Sequence, residues 1–162
     1  MSILAVLGLA LVVYLWTADT SIPFTFKVDN GDVYNLLTTG FLHGHTYLAL
    51  QVPAGLLHLP NPYDPAQNAQ YQIGVIHDLL LHNGRFYSVW GPTPVFALFM
   101  PFRLTGLQMS ESFAVVVFAF AGLVFAVKLM HVLIRRFAPA TPNWLLVVAT
   151  VGLALTNVVP FL

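Results

Sequence analysis

The sequence contains no cysteine and very little charge. The absence of cysteine excludes disulfides, thiolate metal sites and catalysis by a thiol. Charged residues make up 7% of the 162 residues, whereas soluble domains carry roughly 25%, so charged side chains are too few to cover a soluble surface. With 58% hydrophobic residues and a formal net charge of zero, the composition predicts an integral membrane protein whose first partner is the lipid bilayer. It gives no basis for binding nucleic acid.

Several sequence motifs of known catalysts are also missing. The sequence has no phosphate-binding P-loop, no glycine-rich dinucleotide fingerprint, no nucleophile elbow and no HExxH zinc motif. No charged residue lies deep within an apolar run, because Lys128 lies near the end of its run. Channels and ion-coupled transporters usually bury an ionisable group in the membrane, so transport is the least favoured function.

Three apolar runs predict three transmembrane helices, at residues 1–18, 112–136 and 144–162. The first is the weakest, because its apolar part, Ile3 to Trp16, is shorter than the ~20 residues that a span needs. A cleaved signal peptide is the alternative, but no Lys or Arg precedes the run and no small-residue cleavage site follows it. The sequence therefore predicts an all-α membrane protein with three transmembrane helices.

The basic residues indicate the orientation of these spans. Lys128, Arg135 and Arg136 lie close to the short turn at 137–143, and basic loops favour the cytoplasmic side. All six acidic residues precede residue 112. We therefore expect a multi-pass protein of the bacterial inner membrane, with a cytoplasmic amino terminus and a periplasmic segment from 19 to 111.

The segment 19–111 is too long for a simple connection and too apolar to be disordered. We expect an ordered loop of short interfacial helices. Apolar residues at helical spacing predict one helix over 31–41, and a second is expected over 66–83. The aromatic stretch 85–90 is compatible with an extended conformation. The apolar stretch 95–102 is bounded by prolines and too short for a span, which favours an interfacial or re-entrant helix.

Two carboxylates, Asp29 and Asp32, lie three residues apart near the start of the first predicted surface helix. Asp32 has two interpretations. It either caps the amino terminus of that helix and interacts with its dipole, or it serves as a catalytic base at the outer membrane face. Asp29 is likewise either part of an Asp29-Asn30-Gly31 turn or the partner of Asp32 in a carboxylate pair.

The histidines of the outer segment raise the question of a metal site. They are His43, His45, His58, His77 and His82. In an extended segment His43 and His45 would present both rings on one face, but the spacing supplies no further ligand. His77 and His82 are five residues apart, which does not match a one-turn helical pair. We therefore predict no metal site, and expect histidines that bond backbone groups or lipid headgroups.

Several short motifs occur in the order found in a family of membrane enzymes. They are Asp29-Asn30-Gly31-Asp32-Val33-Tyr34, Gly40-Phe41-Leu42-His43-Gly44-His45, Asn83-Gly84-Arg85-Phe86-Tyr87, Gly91-Pro92-Thr93-Pro94-Val95-Phe96 and Arg103-Leu104-Thr105-Gly106. With these motifs, from about residue 7 to residue 137, the chain resembles the amino-terminal part of GT-C-fold membrane glycosyltransferases. Such enzymes take sugars from polyprenyl-phosphate donors, and the aminoarabinose and protein mannosyl transferases are among them.

The resemblance implies roles for particular residues if the chain is an enzyme. An acidic residue in the first outer loop of the family acts as base or orients the acceptor, and Asp32 matches it best, with Asp29 second. Tyr34 would pack or hydrogen-bond beside Asp32. The donor or acceptor side would be formed by His43, His45, Arg85 and Tyr87. The implied ligand is a lipid-phosphate sugar at the outer leaflet, with a divalent metal left open and no other cofactor.

The length of the chain departs from the family, whose members have many more spans and build much of the donor site from later helices. The chain up to Leu162 therefore resembles a truncated enzyme. For a chain of this size the sequence favours a non-catalytic accessory subunit, of glycosyltransferase-like ancestry, in a larger membrane complex such as a respiratory or photosynthetic one. Its partners would be other membrane subunits. The alternative is the amino-terminal portion of a GT-C glycosyltransferase. No histidine spacing selects a pigment ligand.

Overall fold

The computed structural model describes residues 2–18, 28, 32–71 and 78–156, which are mostly helical. In chain order the helices and strands are α1 (Ile3–Ala18), α2 (Val33–Leu42), α3 (Pro65–Asn68), β1 (Leu79–His82), β2 (Arg85–Ser88), α4 (Met100–Leu104), α5 (Glu111–Phe137) and α6 (Asn143–Thr156). Short 3₁₀ turns lie at Ala54–His58 and Ala69–Tyr71, and a π-helical turn lies at Val95–Phe99.

One compact unit of the chain, the helical unit, consists of Met1–Phe26 and Ser112–Leu162. Within it, α5 is the helix that is long and apolar enough, with its 27 residues, to cross a membrane by length and composition. The helices α1 and α6 are apolar but shorter, with 16 and 14 residues. Helices are therefore confirmed in all three predicted ranges, whereas three spans remain a prediction. Residues 157–162 of the third range lie outside the described residues.

Apolar contacts hold the helical unit together. The buried residues that pack together in its core are Ala10, Tyr14, Val116, Leu123, Val127 and Ala154. The Tyr14 hydroxyl donates a buried hydrogen bond of 3.0 Å to the carbonyl oxygen of Ala154, which satisfies the polar end of the aromatic side chain inside an apolar interface. Large apolar side chains on α5 nevertheless point outward, and Phe125 is 70% exposed. A helix that is apolar on every side is typical of a buried or membrane-spanning segment.

The second unit, the connecting unit, is Lys27–Glu111 and has a core of its own. Seven buried residues pack together in this core: Val33 and Leu37 of α2, Leu48 of the segment after α2, Leu56 of the first 3₁₀ turn, Leu79 and Phe86 of the two strands, and Val95 of the π-helical turn. The helix predicted over 31–41 is confirmed as α2. The helix predicted over 95–102 is confirmed as the π-helical turn continued by α4.

The all-α prediction is wrong in the connecting unit, because β1 and β2 form an antiparallel hairpin with His82 opposite Arg85. Asn83 and Gly84 connect the strands with φ values of 48° and 70°, which is the left-handed conformation that two-residue hairpin turns require. The helix predicted over 66–83 is therefore wrong at 79–82, and its residues 72–77 lie outside the described residues. The extended conformation of 85–90 is confirmed over Arg85–Ser88.

Alternating burial explains why 79–82 forms a strand rather than a helix. Leu79 is buried, Leu80 is exposed and Leu81 is partly buried, which is the two-residue period of a strand. In β2 the buried residue is Phe86, opposite Leu81 in the register. The hairpin thus places one face on the core and leaves Leu80, His82, Arg85 and Tyr87 on the other.

Candidate functional site

Polar and acidic groups meet at the amino terminus of α2. Asp32 occupies the N-cap position, but its side chain makes no capping hydrogen bond. Glu111 caps the helix instead, because its Oε1 atom accepts a 2.7 Å hydrogen bond from the backbone N–H of Tyr34, 77 residues away in sequence. The Val33 backbone N–H also interacts with the Glu111 carboxylate. The first-turn donors that a helix leaves unsatisfied are therefore capped by a distant carboxylate.

Asn35 fixes the orientation of the neighbouring groups. Its Nδ2 atom donates to the backbone oxygen of Met109 at 2.7 Å and to Oδ2 of Asp32 at 3.3 Å. One amide thus ties the segment before α5 to the first turn of α2 and restrains the Asp32 carboxylate at the same time. We call Asp32, Asn35 and Glu111 the acidic cluster.

Burial and like charge disfavour ionisation of Glu111. The pKa of Glu111, which precedes the apolar part of α5, is raised above its usual 4.5 chiefly by burial, and the charges of Asp32 and Asp78 add to the increase. The backbone N–H groups of Tyr34 and Val33 act in the opposite direction. Partial burial and the charge of Glu111 raise the pKa of Tyr34. The net effect favours proton uptake at Glu111.

Tyr34 links the acidic cluster to the core of the connecting unit. Its ring stacks on that of Phe99, with 5.5 Å between the ring centroids and an interplanar angle of 30°. Phe99 is buried in the π-helical turn. The stack therefore fixes the side chain of the residue whose backbone N–H is bound by Glu111.

The carboxyl terminus of α2 ends in a Schellman motif. The backbone N–H of His45 donates to the oxygen of Gly40 at 2.9 Å, and that of Gly44 donates to the oxygen of Phe41 at 3.0 Å. Gly44 has the left-handed φ of 78° that this motif needs. His43 and His45 are therefore not on one face of a strand, as the sequence suggested. Instead Nδ1 of His43 lies 2.8 Å from the oxygen of Thr39.

His45 belongs to a partly exposed cluster around the ring of Tyr47. The rings of His45 and Tyr47 stack at 4.6 Å, and the guanidinium carbon of Arg85 lies 4.2 Å from the Tyr47 centroid. The ring of Tyr87 approaches Tyr47 edge-on at 6.3 Å, and the ring of His82 lies 6.4 Å from Tyr87. We call these five residues the Tyr47 platform.

The predicted site residues thus fall into two groups, separated by α2. Asp32 and Tyr34 lie at its amino end, whereas His45, Arg85 and Tyr87 gather beyond its carboxyl end. Ten helical residues span about 15 Å, so these groups do not form one compact site. Asp29 lies outside the described residues, as does His77.

The acidic cluster does not fit the divalent metal that the sequence left open. Among the described residues no group of three or more His, Cys, Asp or Glu side chains is arranged to hold a metal ion. The Glu111 carboxylate is already engaged by backbone donors of α2.

Sequence reasoning missed three residues that organise these groups: Asn35, Tyr47 and Glu111. Glu111 lies in the first turn of its own helix, where an acid suits the helix dipole, and nothing near it in sequence indicates the second helix that it caps. Tyr47 had one usable signal, since Gly40 lies near the end of α2 shortly before it, and glycine permits close backbone approach.

The chain matches no protein-family model, no curated protein and no solved structure. The resemblance to GT-C glycosyltransferases therefore stays an expectation based on short motifs. Roles for the acidic cluster and the Tyr47 platform rest on their geometry and chemistry.

Proposed function

We propose that the chain acts in a membrane glycosyltransferase of the GT-C type, with Asp32 as the base that activates the acceptor. The acidic cluster carries this proposal, because Asn35 restrains the Asp32 carboxylate beside Glu111 at the amino terminus of a helix. A fixed carboxylate next to a second acid is the arrangement that general-base chemistry uses. The order of motifs around Asp32 supports the same assignment.

The chemical step transfers a sugar from a lipid phosphate to an acceptor hydroxyl. Asp32 removes the hydroxyl proton while the acceptor oxygen bonds to the anomeric carbon. The bond between the anomeric carbon and the phosphate oxygen breaks, and the lipid phosphate leaves with that electron pair. Asp32 later returns its proton to solvent. Glu111 acts as a positioning residue, because it binds the backbone of α2 next to Asp32.

The membrane arrangement that we propose has three spans, formed around α1, α5 and α6, in a bacterial inner membrane. The amino terminus is cytoplasmic and residues 19–111 are periplasmic. The support is the position of Arg135 and Arg136 at the end of α5, since basic residues concentrate on the cytoplasmic side. This arrangement gives Asp32 access to lipid-linked sugars of the outer leaflet.

Transfer from a polyprenyl-phosphate sugar tests the role of Asp32. The full chain is expressed in membranes, and sugar incorporated into membrane acceptors is measured for wild type and Asp32→Asn. We expect the substitution to reduce the rate by roughly 10²–10⁴-fold, which is the usual contribution of a general base. Unchanged transfer in Asp32→Asn would exclude the assigned role.

Asp64→Asn is the matched control for this experiment. Asp64 caps α3 by accepting from the backbone N–H of Ala66 at 2.9 Å, and it also accepts from Nε2 of Gln67 at 2.8 Å. It is thus an N-cap aspartate in the same unit, outside the acidic cluster. We expect transfer by Asp64→Asn to match wild type, because asparagine also caps helices. An equal loss in both variants would indicate damage to the fold rather than to catalysis.

A non-catalytic accessory subunit of a larger membrane complex is the second candidate. The outward-facing apolar side chains of α5 favour it, since Phe125, Leu129 and Val132 are each at least 60% exposed and offer a surface for other membrane helices. Purification from native membranes separates the two functions. Co-purification with other subunits at fixed stoichiometry, together with no transfer activity, would favour this candidate over the transferase.

A further inference from the structure

The Tyr47 platform combines a cation, two imidazoles and two phenol rings on one exposed surface. Its parts come from two segments: His45 and Tyr47 follow α2, whereas His82, Arg85 and Tyr87 belong to the hairpin. In β2 the buried Phe86 separates Arg85 from Tyr87, so the alternation of a strand places both on the outer face. The platform is therefore a product of the fold of the connecting unit.

Backbone contacts hold the two segments together. The backbone N–H of Leu48 donates to the oxygen of Phe86 at 2.8 Å, and that of Ala49 donates to the oxygen of Leu36 at 3.2 Å. Gly40 lets the chain after α2 pass close by, because a Cβ atom there would overlap the carbonyl oxygen of Tyr47. Tyr47 is thus fixed between α2 and β2.

Arg85 is oriented but keeps its hydrogen-bonding capacity. Its guanidinium packs on the Tyr47 ring, and among the described residues it makes no hydrogen bond or ion pair. Stacking on an aromatic face leaves the N–H groups at the edge of the guanidinium available, and this planar fork suits bidentate binding of phosphate. His45 and His82 are exposed beside it and supply further nitrogen atoms. The platform contains no carboxylate to compete.

We propose that the Tyr47 platform is a binding site for a phosphate group, with Arg85 as its main donor. The recognised chemistry is an anionic phosphate oxygen, carried either by a lipid headgroup or by a soluble phosphate. The site is separate from the acidic cluster, which lies at the other end of α2, and binding there does not depend on transferase activity.

Side-chain NMR of arginine tests this proposal directly. The chain has four arginines, Arg85, Arg103, Arg135 and Arg136, so their Nε–H signals can be assigned by single substitutions. The full chain is placed in phosphatidylcholine nanodiscs and titrated with inorganic phosphate, or placed in nanodiscs that contain phosphatidylglycerol. We expect the Arg85 signal to shift and the other three to serve as internal controls. A shift with inorganic phosphate identifies a soluble ligand, and a shift confined to phosphatidylglycerol identifies a lipid headgroup.

Two variants keep the proposal falsifiable. Arg85→Lys retains the charge but loses the planar fork, and Tyr47→Leu removes the ring that orients Arg85. We expect each variant to weaken binding, roughly threefold to tenfold for Tyr47→Leu, since cation–π contacts at exposed sites contribute modestly. If Tyr47→Leu bound phosphate as tightly as wild type, the role of the Tyr47 ring in orienting Arg85 would be excluded. No Arg85 shift in either type of nanodisc, or equal shifts of all four arginines, would overturn the phosphate site.

Discussion

The two units of the chain are stabilised by different kinds of contact. The helical unit has an apolar core, reinforced by the buried bond from Tyr14 to Ala154. The connecting unit also has a core, but polar groups from distant parts of the sequence define its local geometry. Glu111 caps α2, Asn35 binds the backbone before α5, and Arg103 donates to Oγ1 of Thr39 at 3.3 Å. Apolar burial therefore dominates in the helical unit, whereas hydrogen bonds between distant residues define the local geometry of the connecting unit.

Substitution of Gly40 should have the largest effect, and it should destabilise the connecting unit selectively. At Gly40, alanine would clash with the backbone of Tyr47, and we expect the connecting unit to lose about 3 kcal/mol. The matched control is Gly122→Ala in α5, where a Cβ meets nothing within 4 Å. Amide hydrogen exchange of the two units measures the effect. We expect faster amide exchange in the connecting unit of Gly40→Ala and unchanged exchange in Gly122→Ala. Equal exchange rates in the two variants would contradict the close approach of Gly40 to Tyr47.

Removal of the distant cap should have a smaller effect, which depends on pH. Glu111→Ala leaves the Tyr34 backbone donor without its partner, and we expect a loss of about 1 kcal/mol in the connecting unit. Glu111→Gln retains an acceptor and removes the titration. Hydrogen exchange of the α2 amides, measured as a function of pH, distinguishes the loss of the cap in Glu111→Ala from the loss of titration in Glu111→Gln.

The sign of the pH dependence follows from the raised pKa of Glu111. The folded state binds a proton more readily than the unfolded state, whose value is near 4.5. The stability that protonation of Glu111 contributes is fully present below the pKa of the unfolded state. It is lost as pH rises through the higher pKa of the folded state. We expect Glu111→Gln to abolish this decline. A decline of the same size in wild type and Glu111→Gln would assign the titration to another group.

Two tyrosine hydroxyls, one in each unit, are expected to have effects no larger than that of the Glu111 cap. Tyr14→Phe removes the buried bond to Ala154 and should cost the helical unit about 1 kcal/mol. Tyr63→Phe removes a 2.6 Å bond from the backbone N–H of Leu81, at an exposed site where water can replace it. Amide hydrogen exchange measured at increasing temperature should show the larger loss of stability for Tyr14→Phe. The reverse order would indicate that the helical unit does not depend on that bond.

Much of the fold could be predicted because its signals are local. Long apolar runs identify α1, α5 and α6, and apolar spacing identifies α2, since neighbouring residues carry both signals. The hairpin had a local signal as well, because Asn83-Gly84 between apolar segments favours a two-residue turn. It was missed because Leu79, Leu80 and Leu81 form a continuous apolar run, whose two-residue alternation becomes visible only when one face is buried.

The apolar character of the chain and the position of its long helix follow from residues that are close together in sequence. The capping of α2 by Glu111 rather than Asp32, and the meeting of His45 and Arg85 on Tyr47, arise only in the folded chain. These contacts depend on residues that are far apart along the chain. Hydropathy and helical spacing depend on residues a few positions apart, whereas the bond from Tyr34 to Glu111 joins residues 77 positions apart, which are brought together only when the core of the connecting unit forms.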